Sequence, residues 1–266
     1  MALKTQVVSD SLMVSYPYIK EKRIFYFDGN GKITAENGTF INPSPNAFSL
    51  VHVEDCPGRT PVCESKCYVH RLRENEPEIY GRYRANSQAI RQALLGPYRT
   101  SITIDAFANW INSHCKKGGF RWHVSGDIFS VEYAWFIRGV VLKTPGIRYW
   151  IYTRSFHFSE VLSGLSNLAV NLSADRDNFE RALVCQSQFG FRICCMITEG
   201  DTIPDLPEGS VIFPSHELRG RDLKNPLDAP WWKALTQKQR RMVCPPDFFG
   251  QSEVLRCGPC DKCLCL

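Results

Sequence analysis

Eight of the twelve cysteines lie in two short segments, one in the first quarter of the chain and one at its end. The first group, Cys56, Cys63 and Cys67, has the spacing C-x6-C-x3-C. The second group contains the run C-x2-C-x2-C and consists of Cys244, Cys257, Cys260, Cys263 and Cys265. In a reducing compartment, thiols clustered in this way indicate metal ligands rather than disulfides.

The C-terminal group favours an iron–sulfur cluster, with zinc as the alternative. Zinc sites usually combine two separate C-x2-C pairs, whereas three thiols in successive steps resemble the ferredoxin run. In that run the fourth ligand is a remote Cys followed by Pro, and both Cys244-Pro245 and Cys56-Pro57 have this form. We interpret Cys265, the penultimate residue, as spare.

The N-terminal group offers only three thiols, Cys56, Cys63 and Cys67. Three ligands on a four-iron cluster leave one iron open to a substrate or cofactor. In the alternative, a structural site takes its fourth thiol from the C-terminal group, so the chain holds either one shared cluster or two. His70 follows Cys67 by three residues, and we expect it on a helix surface rather than on a metal.

Strand-length apolar runs alternate with helix-like stretches from about residue 100, which predicts βαβ units and a parallel sheet. The predicted strands are Ala47–Val53, Phe120–Val124, Arg148–Tyr152, Leu168–Leu172, Phe191–Ile197 and Ser210–Phe213. The predicted helices are Asn75–Leu95, ended by Gly96-Pro97, then Phe129–Lys143, capped by Ser130, and Asp177–Gln188. The first cysteine group is therefore expected to join a strand to a helix, where active sites of such folds collect.

Polar residues follow several predicted strands, as they would around a shared pocket. Ser125-Gly126-Asp127 is the candidate cofactor-binding segment, since Asp127 could hold an ammonium or hydroxyl group. Tyr152–Ser155 and Asn171–Asp175 are polar in the same way. No catalytic residue is assigned. His123 is interpreted as a core residue, His216 as a surface residue, and Cys115, Cys185, Cys194 and Cys195 as small core residues, the last two pointing to opposite strand faces.

The predicted fold is α/β, a partial or distorted (β/α) barrel in one structural unit with three regions. Residues 1–45 form a small β-extension with hairpin signals at Asp28-Gly29, residues 46–216 form the βα core, and residues 217–266 form a loop-rich, cysteine-rich tail.

Composition, hydropathy and the absence of known motifs narrow the functional classes to be considered. The chain has 266 residues, 44% hydrophobic content and a net charge of +5, which permits nucleic-acid binding without favouring it. The N-terminus lacks a signal-peptide pattern and the most apolar stretch, Tyr133–Leu142, is short and contains Arg138, so a cytoplasmic protein without membrane contact is expected. Motifs for nucleotide hydrolysis, nicotinamide binding and serine hydrolysis are absent from the sequence.

The motif Cys-Pro-x-x-Thr-Pro-x-Cys-x-x-x-Cys-Tyr at residues 56–68, with His123-Val-Ser-Gly-Asp127, Tyr152-Thr-Arg-Ser155 and the closing cysteine run, resembles the phage gene product 88 family. The resemblance spans roughly residues 45 to 265. It implies a bacteriophage or prophage source and a barrel similar to radical S-adenosylmethionine (SAM) enzymes, with an iron–sulfur cluster at its mouth. Those enzymes use C-x3-C-x2-C, so SAM is only a candidate cofactor.

Two classes of function follow. In the first, Cys56, Cys63 and Cys67 hold a 4Fe-4S cluster for radical or redox chemistry, with a small-molecule substrate or a redox partner, and an auxiliary cluster is held by Cys244, Cys257, Cys260 and Cys263. In another version of this class, both cysteine groups build a single cluster for electron transfer or structural closure. In the second, a zinc-stabilised module binds nucleic acid through Trp231 and Trp232 and the basic residues Lys233, Lys238, Arg240 and Arg241.

Overall fold

The computed structural model describes residues 5–7, 25–29, 45–115, 119–218, 225–244 and 263. In this part of the chain, eight strands form one sheet whose spatial order follows the chain from β1 to β8. The pairs β1–β2 and β2–β3 are antiparallel, and all neighbouring pairs from β3 to β8 are parallel. The strands are β1 (Thr5–Val7), β2 (Tyr26–Gly29), β3 (Pro45–Phe48), β4 (Phe120–Trp122), β5 (Tyr149–Thr153), β6 (Leu168–Ala174), β7 (Arg192–Ile197) and β8 (Val211–Pro214).

Helices lie between the parallel strands from β3 to β7, and two short helices follow β8. They are α1 (Pro61–Ser65), α2 (Val69–Asn75), α3 (Pro77–Ala93), α4 (Pro97–His114), α5 (Val131–Lys143), α6 (Phe156–Ser159), α7 (Phe179–Phe189), α8 (Pro230–Ala234) and α9 (Gln237–Met242). Short 3-10 turns occupy Glu160–Leu162, His216–Leu218 and Pro226–Asp228. No helix in the described residues is both long enough and apolar enough to cross a membrane.

Local signals explain most helix ends. Ser130 caps α5 by accepting a hydrogen bond from the backbone N–H of Tyr133, as the sequence predicted. Asn75, predicted to cap the long helix, instead ends α2, and α3 begins at Pro77. The prediction missed α4 because Gly96-Pro97 was interpreted only as a stop. Proline lacks a backbone N–H, so Pro97 is equally suited to start the next helix.

The two faces of the sheet have different surroundings. Ile151, Leu172 and Cys195 belong to the main core, together with the buried side chains of α4, α5 and α7. Their strand neighbours point the other way. That second face, defined here by Trp150, Tyr152, Ala169, Asn171, Cys194, Val211 and Phe213, carries two small clusters that include no residue of a described helix.

The α/β class and the parallel sheet are confirmed, and β1 and β2 extend the same sheet as a small antiparallel edge. The observed β3 ends at Phe48, and the chain turns at residues 52–55, where Val53 has a φ of +68°, so the predicted strand end at Val53 is wrong. A strand order that follows the chain is the order of (β/α) barrels. Since the described pairings do not join β8 back to the first strands, the barrel type stays a prediction, as do the domain boundaries.

Candidate functional site

The first cysteine group lies at the carboxyl edge of the parallel sheet. After β3 the chain forms turns through Cys56, enters the short helix α1 that contains Cys63, and reaches Cys67 before α2. Thr60 caps α1 by accepting a hydrogen bond from the Cys63 backbone N–H at 3.0 Å. All three thiol residues are half-buried. We call Cys56, Cys63 and Cys67 the edge cysteines.

Residues from two strand ends fasten this loop. The Thr60 hydroxyl donates to the carboxylate of Asp175, which follows β6, at 2.6 Å. The same carboxylate oxygen pairs with the guanidinium of Arg154, which follows β5, at 2.6 Å. Gly58 packs so closely that a Cβ at this position would collide with the carbonyl oxygen of Arg154. The edge cysteines are therefore held against the ends of β5 and β6.

The candidate segment Ser125–Asp127 adjoins this loop, but its carboxylate already has partners. Asp127 Oδ2 accepts from the backbone N–H groups of Arg154 and Ser155 at 2.8 and 3.2 Å, and Oδ1 accepts from Ile128 at 2.7 Å. Burial raises the pKa of Asp127, while these hydrogen bonds oppose the rise. The carboxylate thus ties two strand ends together.

Ser125 offers a free group at the same edge. Its side chain is buried, and its hydroxyl has no hydrogen-bond partner among the described residues. Gly126 adopts φ +79°, and a Cβ there would collide with Leu50. A buried hydroxyl without a partner is costly, so Ser125 is the residue of this segment best suited to contact a ligand. The cofactor role of the segment stays a prediction.

Two further side chains surround Cys67. The hydroxyl of Tyr68, the next residue, donates to the backbone carbonyl of Val124 after β4. His70 lies on α2 as expected. Its Nδ1 is 3.2 Å from His52 Nε2, and its Nε2 is 3.0 Å from the Glu64 carbonyl oxygen. His70 is therefore engaged by protein groups.

The electrostatics of the edge cysteines favour neutral thiols in the metal-free chain. Burial raises the pKa of Cys56, and nearby Asp127, Cys63 and Cys67 raise it further. Burial also raises the pKa of Cys63, which the guanidinium of Arg154 opposes. Thiols bind metals as thiolates, so binding here would release protons and gain from Arg154. In the described part of the chain, no three His, Cys, Asp or Glu side chains are already arranged to hold a metal ion.

The second cysteine group includes a residue that the sequence did not assign to it. Cys244 and Cys263 are buried on the second face of the sheet beside Cys194 of β7. The sequence predicted that Cys194 and Cys195 point to opposite faces, which is confirmed, since Cys195 lies in the main core with Cys115 and Cys185. We call Cys194, Cys244 and Cys263 the face cysteines. The predicted ligands Cys257 and Cys260 and the spare Cys265 lie outside the described residues.

The edge and face cysteines occupy different places. Cys63 lies beside Arg154 and Asp175, whereas the Cys263 carbonyl accepts a hydrogen bond from Asn171 at 3.1 Å. Asn171 and Asp175 are four residues apart along one strand, which corresponds to about 13 Å. The described thiols of the two groups are therefore separated along the sheet, and whether the chain holds one cluster or two stays a prediction.

The remaining candidates lie where the sequence indicated. His123 is buried, with Nε2 at 2.9 Å from the Tyr133 hydroxyl, and burial lowers its pKa to about 3. His216 is exposed in a 3-10 turn.

In the candidate nucleic-acid surface, Lys233 pairs with Asp228 and Lys238 with Asp205, both at 3.0 Å.

The tryptophans of that surface are also engaged. Trp231 and Trp232 pack against the main core, and Trp231 donates its indole N–H to the Leu218 carbonyl at 2.9 Å. The guanidinium of Arg240 lies over Trp232 and donates to the Trp232 and Lys233 carbonyls. The two indole rings are therefore already packed against protein groups and are not presented for stacking with nucleic-acid bases.

The fold and the site together define an α/β protein with a cysteine loop at the carboxyl edge of a parallel sheet. The model of the Gene product 88 family matches residues 21–264, nearly the whole chain, so the protein belongs to that family. This confirms the predicted phage family. No curated protein and no solved structure matches the chain. The family match names no cofactor or reaction, so iron–sulfur binding and the likeness to radical SAM enzymes stay predictions.

Proposed function

We propose that this Gene product 88 protein is an iron–sulfur protein of the host cytoplasm whose edge cysteines hold a 4Fe-4S cluster. The observation that carries the proposal is the gathering of Cys56, Cys63 and Cys67 in one half-buried loop at the carboxyl edge of parallel strands. Ligands of such sheets bind at this edge. A four-iron cluster demands less convergence than one ion, because each thiolate binds a different iron.

The surroundings of the loop suit an anionic group with an open position. Arg154 supplies a positive charge beside Cys63, and Asp175 fixes that guanidinium. The hydroxyl of Ser125 is available to a bound molecule. When bound, a cluster with three protein ligands supplies one open iron, at which a small molecule can be coordinated and reduced. SAM is one candidate for that molecule, and reaction and substrate remain open.

Metal analysis of protein purified without oxygen tests the proposal. We expect brown protein with the broad absorption of iron–sulfur clusters and with matching iron and sulfide contents. Cys63→Ala should lower the iron content by the amount of one cluster. The control Cys115→Ala removes a buried thiol from the main core and should leave iron unchanged. Colourless protein that contains only zinc would overturn the proposal.

A second measurement separates the enzymatic from the non-enzymatic version. If SAM is the bound molecule, reduced protein incubated with SAM should release 5′-deoxyadenosine, and Cys63→Ala should not. Full iron content without this product would retain the iron–sulfur protein and remove the radical SAM version.

A further inference from the structure

The face cysteines come from three separate segments and lie together on the second face of the sheet. Cys194 belongs to β7, Cys244 follows α9, and Cys263 lies 19 positions further along. All three are less than a tenth exposed. The sequence run gave no reason to include Cys194, because its neighbour Cys195 is an ordinary core residue and the two form no ligand spacing.

The backbone fixes two of the three thiols. Cys194 is held in register between β6 and β8, opposite Ser173 and Val211. Cys244 is fixed because its segment pairs with β8. Val243 forms a parallel β-bridge with Ile212, and the Cys244 N–H donates to the Ile212 carbonyl at 2.8 Å. Rigid strands position ligands more accurately than loops do.

Asn171 of β6 links the group. Its side-chain carbonyl accepts from the Cys194 thiol at 3.6 Å and from the guanidinium of Arg192 at 3.3 Å, and its amide donates to the backbone carbonyl of Cys263. The side chain is fully buried. One amide therefore orients the thiol of Cys194 and the chain at Cys263.

Positive charge lies on the same face. The guanidinium of Arg192 is next to Cys194, and that of Arg121 lies 5.1 Å from the ring centre of Tyr152, which borders the thiol cluster. Three thiolates outweigh the charge of a divalent ion, so a buried thiolate centre needs nearby cations. A purely apolar cluster of thiols would have no such need.

We propose that Cys194, Cys244 and Cys263 are ligands of a second metal centre, a thiolate-bound zinc ion or iron–sulfur cluster on the second face of the sheet. The centre forms when the three thiols close around the metal, and its binding energy then fastens Cys263 to β7 and β8. It does not depend on the cluster at the edge cysteines, because the two groups lie at different places on the sheet.

The adjacent pair Cys194 and Cys195 provides a matched test. Both are buried in β7, and they face opposite sides of the sheet. Metal per chain is measured after reconstitution with iron and sulfide, and separately with Zn²⁺, in a Cys63→Ala background that removes an edge ligand. Cys194→Ala should lose the remaining metal and Cys195→Ala should keep it. Equal metal content in the two variants would overturn the proposal.

Two measurements cover a variant that fails to fold. In the Cys63→Ala protein with an otherwise unchanged chain, metal should protect Cys194, Cys244 and Cys263 from alkylation by N-ethylmaleimide, and a chelator should remove the protection. Asn171→Ala removes the amide N–H that holds the backbone carbonyl of Cys263, a bond that does not depend on the thiol proton, and should weaken metal binding by about 10- to 100-fold in a chelator competition. An alkylation rate that is the same with and without metal would overturn the assignment. A disulfide between Cys194 and Cys263 in metal-free protein kept under reducing conditions would also overturn it.

If the metal in these experiments depends on Cys194 but never on Cys63, the proposal for the edge cysteines fails and this one stands. The reverse dependence would reject the second centre alone.

Discussion

The edge cysteines and the face cysteines are two thiol groups built in opposite ways. The edge group comes from twelve consecutive residues, is half-buried and is held by side-chain bonds to Asp175 and Arg154. The face group comes from three segments, is buried and is held by strand pairing and Asn171. Burial and the neighbouring Cys263 thiol raise the pKa of Cys194 well above its ordinary value. The comparison indicates accessible thiols at the edge and enclosed thiols on the face.

Of the substitutions that separate the two thiol groups, removal of Asp175 should have the largest effect on stability. Asp175→Ala takes the partner from the mostly buried Arg154 side chain and from Thr60, so we expect the free energy of unfolding to fall by about 3–5 kcal/mol. Urea denaturation measures the loss. The control Asp205→Ala removes an exposed ion pair with Lys238 and should cost less than about 1 kcal/mol. Similar losses in both variants would mean that the loop is not fastened through Asp175.

Alkylation of the same variant sharpens the prediction. At a urea concentration that keeps both proteins folded, Cys63 should react faster with N-ethylmaleimide in Asp175→Ala than in the unmodified chain, while Cys194 should react equally slowly in both. Faster reaction of both thiols would indicate one cooperative unit rather than two separately held groups.

Gly58 tests close packing at the edge alone. Gly58→Ala places a Cβ against the Arg154 carbonyl, and overpacking of this kind should lower the free energy of unfolding by about 1–3 kcal/mol. Gly81→Ala is the matched control: it lies within α3 with open space around it, and should stabilise the protein by about 0.5–1 kcal/mol. Thermal or urea unfolding of the pair gives the difference. A neutral Gly58→Ala would show that the loop can move away from β5.

Asp28 tests the polarity of the second face. It lies in one register row with Ala47, Arg121, Trp150 and Ala169, so its side chain shares their face. Burial raises its pKa to about 7, although the Ser49 hydroxyl donates to it and lowers the pKa. The folded chain therefore holds a proton that the unfolded chain releases, and stability falls as pH rises towards 7.

The expected effect is a gradual change with pH rather than a fixed loss. Relative to Asp28→Asn, which cannot titrate, the free energy of unfolding of the unmodified protein should fall by up to about 1.4 kcal/mol per pH unit between pH 5 and 7. Urea titrations at pH 5, 6, 7 and 8 measure the difference, with the exposed Asp205→Asn as control. A difference that does not change with pH would mean that the Asp28 carboxylate is already ionised.

Local signals allowed much of the fold to be predicted. The apolar runs located all six parallel strands to within a few residues, and Ser130 marked the start of α5. The helix α4 was missed because Gly96-Pro97 fits both an end and a beginning, and only the packing of Phe107, Trp110 and Ile111 against the sheet selects the second.

The sequence by itself determined that the edge cysteines lie close together, because one short segment between a strand and a helix keeps its thiols near one another. It also determined that Cys194 and Cys195 face opposite ways, since side chains alternate along a strand. Only the tertiary structure decided that Cys194 meets Cys244 and Cys263, and that Asp127 binds the strand end at Arg154. Those contacts join residues 19 or more positions apart, and strand order and register, which spacing along the chain does not encode, bring them together.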